Sequence, residues 1–162
     1  YLGLASAAGH PHLSWNGIPQ RPAPLPAQDN DKDNRVSALP VIAIVDDDAS
    51  VRTAVGRLLR SIDLEVRLYD CGQALLDDIG TAEPDCVVTD IRMPGLSGFE
   101  LCAALRRRGM DVPVIVMTAY VQEGFAQRAS EAQATCFIQK PFADTQLIAC
   151  IEHALGDGAA RR

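Results

Sequence analysis

From Leu39 onward the chain alternates short apolar runs with longer amphipathic stretches. Val41-Ile42-Ala43-Ile44-Val45 is a nearly continuous apolar run, the pattern of a parallel strand covered on both faces. A helical pattern follows from about Ser50 to Ile62, with Val51, Val55, Leu58, Leu59 and Ile62 on one face. Further strands are predicted at Glu65 to Tyr69, Cys86 to Thr89, Val114 to Thr118 and Cys136 to Gln139. Helices are predicted near Gly72 to Ile79, Gly98 to Arg107, Gln122 to Glu131 and Asp144 to Leu155. The alternation predicts an α/β chain: a (βα)5 unit wound both ways into a parallel sheet with helices on each face.

The preceding segment, residues 1–38, has no sustained periodicity. It contains Pro11, Pro19, Pro22, Pro24 and Pro26, then the polar stretch Asp29 to Arg35. Such a segment buries too little apolar surface to offset its ordering entropy, so an extended, flexible extension is expected. Leu13, Trp15 and Ile18 leave open a short anchor onto a domain or partner surface. The domain is expected over 39–156, followed by a short tail or linker start at 157–162.

The 162 residues suit one domain with a real core. A formal charge of −6 argues against wrapping nucleic acid unaided. Arg106-Arg107-Arg108 at a helix end reads as a solvated, dipole-compensating face, with a docking spot as the alternative. The longest apolar run, Leu39 to Val45, is of strand length and carries Pro40, so no membrane contact is expected. Five cysteines without a Cys-x-x-Cys pair argue against a disulfide scaffold or zinc site. Buried small hydrophobes in a reducing, cytoplasmic setting are expected. His10 and His12 are too few to imply a metal site.

Ligand chemistry in doubly wound sheets gathers beyond the carboxyl ends of the strands. There the first run ends in Asp46-Asp47-Asp48, the third in Asp90, the fourth in Thr118-Ala119, and the fifth leads to Lys140-Pro141-Phe142. Asp-Asp-Asp alone could merely cap a helix. Four such features at four strand ends point to one pocket. Clustered carboxylates repel and call for a divalent cation, and magnesium suits oxygen donors and phosphate. Asp90, alone at its strand end, is the candidate nucleophile for phosphoryl transfer. Asp47, Asp90 and a backbone carbonyl are the candidate ligands, with Asp46 acting through water or at one remove. Lys140 and the Thr118 hydroxyl are the candidate partners of the phosphoryl oxygens.

Val45-Asp46-Asp47-Asp48, Asp90-Ile91-Arg92-Met93-Pro94-Gly95-Leu96-Ser97-Gly98, Pro113 to Ala119 and Lys140-Pro141-Phe142 resemble the receiver domain of bacterial two-component response regulators. The Arg-Met-Pro-Gly-x-Ser-Gly wording is similar to nitrogen-fixation transcriptional regulators. The resemblance implies a flavodoxin-like architecture and phosphoryl transfer to Asp90 from a phosphohistidine on a sensor histidine kinase. It places Asp47, Asp90 and the Arg92 carbonyl around Mg2+, with Asp46 in the acidic pocket. It makes Thr118 the switch hydroxyl, Lys140 the phosphate-binding lysine, and Phe137 the aromatic rotamer switch, a static core aromatic being the alternative. It also implies a cis peptide before Pro141, and homodimerisation through the fourth and fifth elements or through the first and last helices.

Some positions depart from the common pattern. Gln133 stands where many receivers have glycine before the fifth strand, at a cost of roughly 1 kcal/mol if it is left-handed. Arg92 and Tyr120 are bulky and are expected to overhang Asp90 and slow loss of its phosphoryl group. Gln122 to Gln133 has mixed polarity and reads as a mobile or an unusual binding region. The expected function is a phosphorylation-dependent switch with self-catalysed transfer and slow autodephosphorylation, rather than a turnover enzyme. Its output would be DNA binding through a domain absent from this chain. A stand-alone receiver acting by protein contact, a phosphorylation-independent module, or a phosphatase on a similar sheet are the rivals.

Overall fold

The computed structural model describes residues 39–80, 83–120 and 125–159. The proline-rich extension, the expected helix start at 122–124 and residues 160–162 lie outside them. In chain order the elements are β1 (Val41–Val45), α1 (Ala49–Arg60), β2 (Glu65–Tyr69), α2 (Gly72–Asp78), β3 (Cys86–Asp90), α3 (Gly98–Arg107), β4 (Val114–Thr118), α4 (Phe125–Glu131), β5 (Cys136–Gln139) and α5 (Asp144–Ala159).

The strands form one parallel sheet in the order β2-β1-β3-β4-β5. The order follows from the residues. Every residue of β3 and β4 is buried, whereas β2 has no fully buried residue and β5 only Ile138, as befits edge strands. Because side chains alternate along a strand, the sheet has two cores. Ile42, Ile44, Val88, Ile115 and Met117 pack with Val55 and Leu59 of α1 and Leu147 and Ile151 of α5. Ala43, Val45, Val87, Val114 and Val116 pack with Leu75, Leu101, Leu105 and Phe125 on the other face. Burying each large aliphatic side chain contributes roughly 2–3 kcal/mol.

The (βα)5 expectation is met throughout the described residues. α1 begins one residue early because Asp48 caps it, accepting from the amides of Ser50 and Val51. It ends before Ile62, where Asp63 turns left-handed (φ 61). α5 continues four residues beyond the sequence boundary.

Three helix ends close in one way. The amides of Asp63 and Leu64 bond the carbonyls of Arg60 and Leu59; those of Gly109 and Met110 bond Arg106 and Leu105; those of Gln133 and Ala134 bond Ser130 and Ala129. Each pair is a Schellman cap around one positive-φ residue. Glycine fills that position after α3 (φ 76), but Gln133 fills it after α4 (φ 55). The turn keeps its shape, so the residue carries the strain.

One expectation is overturned. Cys136 and Cys150 are joined in a disulfide, with Cα atoms 6.0 Å apart. The bond spans β5 and α5, so it arises from the strand-to-helix packing and has no spacing signature. Cys71, Cys86 and Cys102 are free.

Candidate functional site

The order in which strands are added reverses about β1: β2 lies on one side and β3 on the other. The carboxyl ends of β1 and β3 adjoin at this switch point, the expected place for chemistry in such sheets. Asp46 follows β1 there and Asp90 ends β3. Both are buried, at 1% and 7% exposure.

Lys140, just after β5, reaches across both. Its Nζ lies 2.8 Å from Asp46 Oδ2 and 2.7 Å from Asp90 Oδ1. The peptide that leads from it to Pro141 is cis. Burial, the largest single influence, lowers the Lys140 pKa, but the hydrogen bonds and charges of Asp46 and Asp90 outweigh it and raise it above the ordinary 10.5. The ammonium is therefore a fixed charge.

The remaining oxygens are also engaged. Asp46 Oδ1 accepts from the Asp48 amide at 2.9 Å, and Asp90 Oδ2 accepts from the Arg92 amide at 2.6 Å. Gly98 holds the β3–α3 loop close: a Cβ there would collide with the Asp90 carbonyl, so a side chain would push that strand end outward. The three adjacent aspartates divide their work. Asp48 is the exposed helix cap, held below the ordinary carboxylate value chiefly by the Ser50 hydroxyl. Asp47 is exposed and makes no hydrogen bond or ion pair with the described residues.

Thr118 ends β4 with 2% exposure. Its hydroxyl donates to the Tyr120 carbonyl at 3.0 Å and accepts from the Tyr120 amide at 3.1 Å. Arg92 and Tyr120 meet, the guanidinium 5.3 Å from the ring centroid. They line a cleft of about 500 Å³ with Met93, Phe99, Phe125 and Arg128. Phe137, half-buried on β5, packs at a tilt against Phe125 with ring centroids 4.4 Å apart, and Phe125 packs likewise against Phe99 at 5.4 Å.

Two contributors escaped the sequence reading. Arg52 of α1 donates to the Asp46 carbonyl at 2.6 Å; a cation in the first turn after an acidic strand end is the signal that could have found it. Arg128 of α4 covers the Phe99 ring at 5.0 Å, a contact across elements without a local signature.

Among the described residues no three acidic, histidine or cysteine side chains form a ready metal cage. A cation would rest on Asp47, Asp90, the Arg92 carbonyl and water, with Asp46 behind them. The carboxylates of Asp46, Asp47 and Asp90 outnumber the Lys140 ammonium and the nearby Arg52 guanidinium. Hard oxygen donors, an excess of carboxylates and a share left to water fit magnesium.

The response regulator receiver domain family matches residues 42–152. The chain belongs to this family. The receiver is 39% identical over 114 residues to the transcriptional regulatory protein FixJ of Bradyrhizobium diazoefficiens, covering 70% of this chain and 56% of that protein. It is 40% identical over 122 residues to FixJ of Azorhizobium caulinodans, covering 75% and 57%. Full-length FixJ from B. japonicum superposes with a TM-score of 0.71 at 36% identity, covering 77% of this chain and 63% of that one. The receiver thus spans a little over half the length of the curated relatives it matches. Similarity to FixJ-type regulators agrees with the motif wording, and the family supports phosphorylation-based signalling.

Proposed function

We propose that this receiver accepts a phosphoryl group on Asp90 from a phosphohistidine of a sensor histidine kinase and passes the event to its α4–β5–α5 face. The observation that carries the reading is Lys140 Nζ set between Asp46 and Asp90, at 2.8 and 2.7 Å. An Asp90 oxygen attacks phosphorus, the P–N bond breaks, and its electron pair leaves on the imidazole nitrogen. The product is an acyl phosphate. Lys140 then pairs with the phosphoryl oxygens, and Asp46 and Arg52 hold the β1 end of the pocket in place. Magnesium, when held by Asp47, Asp90 and the Arg92 carbonyl, supplies charge neutralisation for the phosphoryl oxygens.

The Thr118 hydroxyl leaves the Tyr120 backbone and donates to a phosphoryl oxygen. Space opens beside β4, and Phe137 turns from its stack on Phe125. Having no hydroxyl, Phe137 reports by packing alone. Arg92 and Tyr120, in contact with each other, shield the acyl phosphate from water in this reading. On the same reading the output is dimerisation through α4 and β5, followed by DNA binding through a further domain; the similarity to transcriptional regulatory proteins supports a link to transcription. A cytoplasmic location suits a kinase-coupled partner of this kind.

Phosphoramidate, whose P–N bond resembles that of phosphohistidine, provides the test. After its addition with magnesium, borohydride reduces an acyl phosphate at Asp90 to homoserine, which peptide mapping locates. Homoserine at Asp46 or Asp47 instead, or nowhere, contradicts the assignment.

A further inference from the structure

The Cys136–Cys150 bond lies on the side of β5 away from Phe137. Cys136 and Ile138 pack with Leu147, Cys150 and Ile151 on the face shared by α1 and α5. Phe137 points to the opposite face, against Phe125. Cys136 is also held from the other side, in register with Ile115 of β4. The covalent tie is therefore one residue from the aromatic, anchoring the same backbone to α5.

The other cysteines are chemically different. Burial pushes the Cys86 thiol up to about 12 and the Cys102 thiol up to about 11, so neither supplies thiolate readily. Cys71 is free at the N-terminal end of α2. Only Cys136 and Cys150 are bonded, and their exposures differ: Cys136 is half-buried, whereas Cys150 is 7% exposed. Exchange can start at the first and be resolved by the second. Disulfides in reducing compartments are typically transient and catalytic or redox-sensing.

We propose that Cys136 and Cys150 form a reversible thiol–disulfide exchange site, reacting with small-molecule disulfides of the glutathione class, whose closed state restrains β5 and its residue Phe137. The Cys136 thiolate attacks the small disulfide, forming a mixed disulfide and releasing one small thiolate. The Cys150 thiolate then displaces the second small thiolate and closes the internal bond. The cysteine pair loses two electrons and two protons; the small disulfide takes up both and leaves as two thiols. The consequence for Phe137 rests on the phosphorylation reading above, whereas the exchange chemistry does not.

The full chain, equilibrated with glutathione at graded oxidised-to-reduced ratios and then alkylated, tests the site by intact mass and peptide mapping. Oxidation is expected to remove two hydrogens and to protect Cys136 and Cys150 together, with both thiols recovered on the reducing side. Cys150→Ser loses the paired protection and Cys71→Ser keeps it. Alkylation of both cysteines at the most oxidising ratio, or a bond that persists at the most reducing one, overturns the exchange site. For the restraint, the Phe137 ring resonances are followed by NMR on adding beryllofluoride and magnesium as a phosphoryl mimic. A shift in the reduced chain that is lost in the oxidised chain supports it, and equal shifts overturn it. No shift in the reduced chain contradicts the aromatic-switch reading instead, with the thiol mapping still deciding the exchange site.

Discussion

Thr118 is tied to the backbone of Tyr120 by a reciprocal pair of hydrogen bonds, 3.0 and 3.1 Å long. The same hydroxyl cannot serve Tyr120 and a phosphoryl oxygen with undiminished geometry. Thr118→Ala should therefore leave phosphoryl uptake at Asp90 largely intact and abolish most of the Phe137 response. Intact mass reports the first and aromatic NMR the second. A full Phe137 response in Thr118→Ala contradicts this coupling, and Thr118→Ser should restore it.

Arg92 and Tyr120 stack although Tyr120 is 66% exposed. A cation over an aromatic ring at an exposed site is worth about 0.5–1 kcal/mol, enough to hold the pair over the acyl phosphate for much of the time. Tyr120→Ala should shorten the phosphoryl half-life several-fold, and Arg92→Ala should do so to a smaller or equal extent. Unchanged decay in both variants rules out shielding by the pair.

Much of this was legible in the residues. The continuous apolar runs of β1, β3 and β4 mark strands covered on both faces, which is where they lie. Asp46, Asp90 and Lys140 stand at strand ends, and a parallel sheet brings such ends together, so the contact of Lys140 with both carboxylates followed from topology. What stayed hidden depends on contacts across elements. The Cys136–Cys150 bond comes from the packing of α5 on β5, and the reach of Arg52 to the Asp46 carbonyl from the entry angle of α1. That Asp48 is the member of the triplet that caps α1, and Asp46 the one buried against Lys140, depends on the turn into α1.

Gln133 occupies a left-handed position that glycine fills in the equivalent cap after α3. Gln133→Gly should raise the free energy of unfolding by roughly 1 kcal/mol, the cost of a side chain in that conformation. Urea denaturation checks it. A loss of stability would show that the Gln133 side chain contributes a compensating contact, since the bond from Arg106 at 3.4 Å goes to the backbone carbonyl, which glycine keeps.

Lys140 gives the site an alkaline signature. Its folded-state pKa is raised above 10.5, so its contribution to stability is complete below that value and is lost as pH rises through the higher folded value. Lys140→Met should show a shallower decline in stability over that alkaline range than wild type, measured by thermal unfolding at successive pH values. Parallel declines would remove Lys140 as their cause.

Phosphorylation of Asp90 is the central claim, and intact mass spectrometry after incubation with acetyl phosphate and magnesium tests it most directly. Wild type should gain one phosphoryl mass that hydroxylamine removes, and Asp90→Asn should gain none. An equal gain in Asp90→Asn, or no gain in wild type, would contradict the account.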